Sequence, residues 1–175
     1  MKNWNKKTVL NLHAYRIYQI SELYYSFLTT DGLEYICSFT SAKEYFKNYP
    51  LIASKVFSFE LFPAKKAKGK MPSYDARIAD TVIIMIGNFL NSKTNAVIYI
   101  CDTSDGRSAT RARKFNSWFA YDEHPSHQII KVSTDVDGGG MTLYTALLVH
   151  KKNKLKNQFV QAYLELVDVD NNSRK

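Results

Sequence analysis

The sequence predicts an α+β fold: a single domain with a mixed β-sheet of about six strands and flanking helices, in the order ββ(α)βαβαββα. Three observations predict it. The chain has 175 residues with 2 Trp, 12 Tyr and 10 Phe, enough length and apolar bulk for one real core. Its segments switch between two-residue alternation and 3.6-residue periodicity. Turn signals at Asp31-Gly32 and Asp135 to Gly140 mark two hairpins, while helical stretches separate the strands between them.

Residues 1–20 carry mixed signals and read as an irregular lead-in, with Leu10, Leu12, Tyr15, Ile17 and Tyr18 as anchors. Leu23–Thr29 then reads as a strand and Leu33–Phe39 as its return. The Asp31-Gly32 pair between them suits a type I′ turn, whose two central positions both need positive φ. Ser41 followed by Glu44 has the capping-box spacing and predicts a short helix to about Asn48. A third strand, Lys55 to Phe62, ends at Pro63. The stretch from Ala64 to Pro72 holds Lys65, Lys66, Lys68 and Lys70 around Gly69 and reads as an exposed basic loop.

Asp75 to about Asn91 places Ile78, Ala79, Val82, Ile83, Ile86, Phe89 and Leu90 at helical spacing. Ala96–Cys101 is wholly apolar, as a strand buried on both faces requires. A second helix follows Asp102 to Arg107 and runs to about Tyr121. His127–Thr134 is a strand, Asp135 to Gly140 its turn, and Thr142–His150 its partner. A basic loop, Lys151 to Lys156, leads to a last helix from Gln158 to about Val167, and residues 168–175 read as a frayed tail. Right-handed crossovers would set the third, fourth and fifth strands parallel within one sheet.

Composition narrows the function classes. With 7 Gly and 4 Pro the chain is not collagenous or low-complexity, and two cysteines cannot build a disulfide scaffold or a Cys-based zinc site. The basic start is followed by no apolar signal region. The longest apolar run, Val82 to Leu90, is too short to span a bilayer. The expectation is a cytoplasmic protein with reduced thiols and no membrane partner. Lys and Arg number 24 against 16 Asp and Glu, for a net charge of +8 and a pI near 9.4, which favours polyanionic partners.

The most unusual segment is Cys101 to Arg107 followed by Arg111, Arg113, Lys114, Phe115 and Trp118. It leaves the most apolar strand and opens a helix, the place where α/β sheets tend to bind ligands. At roughly 100° per residue, Arg107, Arg111, Lys114 and Trp118 fall within an arc of about 60°. Ala109, Ala112, Phe115 and Phe119 would form the apolar face. Guanidinium forks suit phosphate oxygens, and an indole can stack on a base. The bland alternative is a solvated face whose arginines pair with Asp102, Asp105 or Asp122, with Trp118 packed at the core rim.

The same residues carry a resemblance. Cys101-Asp102, Asp105-Gly106-Arg107, Arg111, Arg113, Phe115 and Trp118-Phe119, with Asp75-x-Arg77-Ile78 upstream, resemble an uncharacterised family of small bacterial proteins of unknown function. The resemblance covers roughly residues 20–165. It implies a bacterial single-domain protein and brings no activity or catalytic residue with it.

Four carboxylates would share one sheet end if the fourth and fifth strands are parallel: Asp102, Asp105, Asp135 and Asp137. Beside lysines and arginines they suggest a Mg²⁺-dependent phosphodiester hydrolase. An ordinary hairpin loop has the same composition, and the spacing is not that of an EF-hand. No dinucleotide or P-loop fingerprint is present, so no cofactor is expected. His13, His124, His127 and His150 show no ligand spacing. The first reading is therefore a non-enzymatic polyanion-binding module, with nucleic acid as the candidate partner and Arg107, Arg111, Lys114 and Trp118 as its anion site. The alternatives are a protein-interaction subunit, pairing through an exposed edge of the aromatic hairpin Leu23–Phe39, and the Mg²⁺ hydrolase.

Overall fold

The computed structural model describes residues 13–64, 75–101, 103–104, 106–119, 128–137 and 142–172. Among these, seven strands form one mixed sheet: β1 (Ile17–Ser21), β2 (Tyr24–Leu28), β3 (Glu34–Ser41), β4 (Val56–Pro63), β5 (Ala96–Ile100), β6 (Ile129–Asp137) and β7 (Thr142–His150). Their order across the sheet is β1-β2-β3-β4-β5-β7-β6. Only β4 and β5 pair in parallel, through Val56↔Ala96 to Ser58↔Ile98. The helices are α1 (Pro50–Ala53), α2 (Ala76–Leu90), α3 (Ser108–Trp118) and α4 (Lys156–Asn172).

The apolar strand β5 lies between β4 and β7, with Ala96, Val97, Ile98 and Tyr99 all buried. Its alternating side chains feed two cores. Val97 and Tyr99 join α2, α3, Phe27, Phe39 and Phe59 on one face. Ala96 and Ile98 join Phe46, Ile52 and the α4 residues Phe159, Ala162 and Tyr163 on the other. Asp75, expected as the first residue of α2, is its N-cap: the Asp75 carboxylate accepts from Arg77 N at 2.9 Å. Asp75 also accepts from the Tyr15 hydroxyl, and the Arg77 guanidinium stacks 3.9 Å from the Tyr15 ring. These contacts tie the entering chain to the start of α2.

Several expectations change. The lead-in 1–20 is not irregular throughout: Ile17–Ser21 is an edge strand pairing with β2, because Ile and Tyr at alternate places suit a pleated surface. β1 therefore covers the outer edge of the aromatic hairpin, which cannot offer that edge to another chain. The hairpin itself forms, but one residue out of the register that a two-residue turn at Asp31-Gly32 would set by pairing Thr30 with Leu33: the pairs are Tyr25↔Cys37 and Phe27↔Tyr35. Its turn is not type I′, since Gly32 alone has positive φ, at +80°. Thr29 N bonds Leu33 O and Gly32 N bonds Thr29 O, both at 3.0 Å. Those bonds close a three-residue loop with glycine in the left-handed position.

The Ser41–Glu44 capping box does not form. Ser41 stays in β3, and Lys43–Phe46 is a single 3-10 turn with no side-chain cap. β6 runs on to Asp137 instead of turning at Asp135, because Val136 is buried beside Leu143. The tail expected to fray from residue 168 stays helical to Asn172, since extending an anchored helix fixes one residue per bond gained. The fifth expected strand, β6, shares its direction with β5 but does not adjoin it. β7 lies between them and is antiparallel to both.

Candidate functional site

The site grows from the end of β5. Cys101 N continues the ladder to Tyr144 O at 2.8 Å, and Gly106 then turns the chain with φ +70° and a 3.1 Å bond to Thr103 O. α3 follows, with Arg107 just outside it at φ −106° and ψ 13°. Arg107 is exposed, Arg111 and Lys114 are half-buried, and Trp118 is only 5% exposed. The structure thus keeps three cations along one side of α3 and corrects the fourth member of the stripe. The indole packs 4.5 Å from the Phe115 ring and is not offered to a base. An indole gains more from burial than any neighbour on this helix, so α3 rolls Trp118 inward. Arg111 and Lys114 flank it half-buried, and the Arg111 charge is close enough to act on the Cys101 thiol. Lys114 Nζ sits 5.9 Å from the Trp118 ring. Ala109, expected on the apolar face, is exposed.

Beneath α3, the sheet contributes a residue that the sequence reading passed over. Lys131 projects from β6, donates to Asn116 Oδ1 on α3 and lies 5.5 Å from the Phe119 ring. Burial pulls its ammonium down to about 8, although Cys101 pulls the other way. Burial also pushes the Cys101 thiol up, against the fields of Arg111 and Lys131. A cleft of about 230 Å³ opens here, lined by Tyr99, Ala112, Asn116, Ser133, Asp135 and Tyr144 among others. The signal for Lys131 was present: Lys131, Ser133 and Asp135 alternate with Ile130, Val132 and Val136, so one face of β6 is polar.

The acidic set is not assembled by the described residues. Asp102 and Asp105 lie outside them, as does the side chain of Asp137; Asp135 alone is placed, exposed at the cleft. Among the described residues no three His, Cys, Asp or Glu side chains converge as a metal site. The lysine loop 65–70 also lies outside the described residues. Lys151 to Lys156 follows β7, which runs against β5, so that cluster sits at the opposite end of the sheet from Arg107. His150 is buried, its Nδ1 accepting from Lys152 N at 3.0 Å. No described helix is long and apolar enough to cross a membrane.

Residues 74–165 match the model of a family described as a family of unknown function (DUF6169). The match runs from the cap of α2 into α4 and takes in the whole cleft. Neither the curated proteins nor the solved structures contain a match.

Proposed function

The chain belongs to that family of unknown function, and from this premise we propose that it is a non-enzymatic module that binds a polyanion, with nucleic acid the leading candidate. The observation that carries the reading is the row of Arg107, Arg111 and Lys114 along the α3 segment, with Arg111 and Lys131 of β6 both close enough to act on Cys101, on a helix that borders the cleft through Ala112 and Asn116. Four cations on α3 and the strand beneath it, in a chain of net charge +8, suit a row of phosphates better than a single small anion. The aromatic contribution expected from Trp118 passes to Tyr144, which lines the cleft and is half-buried. Cys37 and Cys101 as free, buried thiols fit a cytoplasmic bacterial protein.

The test is a salt titration of binding to labelled RNA and DNA by fluorescence anisotropy. Each neutralised duplex phosphate contributes roughly −0.9 to the slope of log K against log salt. Replacing Arg107, Arg111 and Lys114 together by Gln keeps most of each stem in place and removes the charge. That variant should flatten the slope by about 2–3 units and remain folded. A slope that does not change assigns the binding elsewhere, and a wild-type protein that binds neither nucleic acid at low salt ends the proposal.

A further inference from the structure

The sheet face opposite the cleft is covered along only part of its width. α4 packs on β6 and β7 there, and the 3-10 turn and α1 add Phe46 and Ile52. Beyond Val56, which the 3-10 turn and α1 cover, the strands β1 to β4 carry no helix on that side among the described residues. The register places Tyr18 opposite Ser26, Ser26 opposite Ile36, and Ile36 opposite Phe62, all on this face. The bulge between Gln19 and Ser21 sets Ile20 near Tyr24 on the same side. Here Tyr18 is 49% exposed, Ile20 59%, Tyr24 43%, Leu28 54%, Phe62 43% and Ile100 47%. Ser26 and Ser38, both buried, floor the patch between these larger side chains. Among the described residues the strands turn Glu34 and Glu60 onto it, both exposed, and the Arg16 guanidinium lies over the Tyr18 ring at 5.2 Å.

We infer that this bare half-sheet is the contact surface for a second copy of the chain, stacked face to face about a twofold axis. Three observations select that occupant. Six half-exposed large apolar side chains offer on the order of 500 Å² per copy, at the upper end of what a monomer leaves open. Two copies would together bury on the order of 1,000 Å², where specific interfaces begin. Stacked sheets lie about 10 Å apart, close to the thickness of a helix layer. A second half-sheet therefore fills the step beside α4 at the same height. Finally, α3 and Lys131 lie on the other face. Stacking through the bare face keeps both basic surfaces outermost, where repulsion between two chains of +8 is least. The contact does not rest on the polyanion reading.

Sedimentation equilibrium of the full chain over micromolar to submillimolar concentration tests it. The expected result is a monomer–dimer equilibrium that added salt leaves intact or strengthens, opposite to its effect on phosphate binding. Tyr18→Lys on β1 and Phe62→Lys on β4 should each raise the dimer dissociation constant by roughly 30-fold or more, with the far-UV circular dichroism of the wild type. Leu164→Lys, at an exposed position of α4, should leave the equilibrium in place. A wild-type protein that stays monomeric throughout overturns the inference and gives the face to another occupant. So does a dimer that both folded lysine variants retain, because the contact then lies elsewhere.

Discussion

α2 and α3 pack on the same face of the same sheet and are built to opposite ends. α2 buries Ile78, Ala79, Thr81, Val82, Ile83, Met85, Ile86 and Leu90, whereas α3 buries only Ala112 and Trp118. α2 is capped by Asp75 and tied to Tyr15; α3 starts at Arg107 with no side-chain cap. One helix holds the sheet together. The other is held by Ala112, Phe115 and the Trp118 indole and spends the rest of its surface on charge and on the rim of a cleft. On the proposed reading, binding sits on the helix whose removal from water contributes least.

The largest expected effect comes from breaking the structural helix. Ile83 is 1% exposed in the α2 core, so Ile83→Ala should remove about 2–5 kcal/mol through lost burial and the residual cavity. Thermal unfolding would show a fall of roughly 5–15 °C. The salt dependence of nucleic-acid binding by the folded fraction should not move. If it does, α2 and the cleft are coupled and the division between the helices is false.

A smaller effect is expected where α3 is anchored. The Trp118 Nε1–H is buried and meets no acceptor among the described residues, so the indole brings apolar area together with an unpaired donor. Trp118→Phe removes both and should cost less than about 1.5 kcal/mol in chemical denaturation. A loss above about 3 kcal/mol would mean that the N–H is paired in solution and that α3 is anchored more like α2.

How much of this was legible in the sequence follows the same division. α2, β5 and the pairing of β2 with β3 were readable, because each rests on apolar spacing that one face of a sheet enforces, whereas the hairpin's register slipped by one residue with the longer loop. The cation stripe was readable in part. Helical angles place Trp118 among the arginines, and only the competition for burial decides which of them turns inward. The Ser41–Glu44 pair has the right spacing for a cap, yet Ser41 is claimed by the β3–β4 ladder, where it pairs with Phe57. β1 was hidden because five residues with no partner in view look like any lead-in. The alternation along β6 marks Lys131 as a polar-face residue and no more, because a lysine on a strand reads as solvent-facing until a helix from elsewhere in the chain covers it. The bare half-sheet was invisible, since Tyr18, Tyr24 and Phe62 meet only through long-range pairing.

A pH dependence sharpens the comparison most, because it reads the contact between β6 and α3 alone. Lys131 is pulled down to about 8 from its ordinary 10.5, so between those values the unfolded chain binds a proton that the folded chain has lost. Stability must then rise with pH across that window and be flat for this group below it. The buried thiols of Cys37, pushed up to about 12, and of Cys101 act the other way above pH 9. The measurement is therefore the difference between wild type and Lys131→Met, followed by urea unfolding from pH 7 to 9.5. Wild type should gain on the variant as pH rises. Polyanion affinity should run in reverse, falling through pH 8 as the amine discharges, by no more than one phosphate contact. Lys131→Arg, which keeps its charge, should abolish that fall. Identical pH profiles for all three proteins would show a fully hydrated amine at Lys131, a cleft open to water, and an α3 that covers nothing.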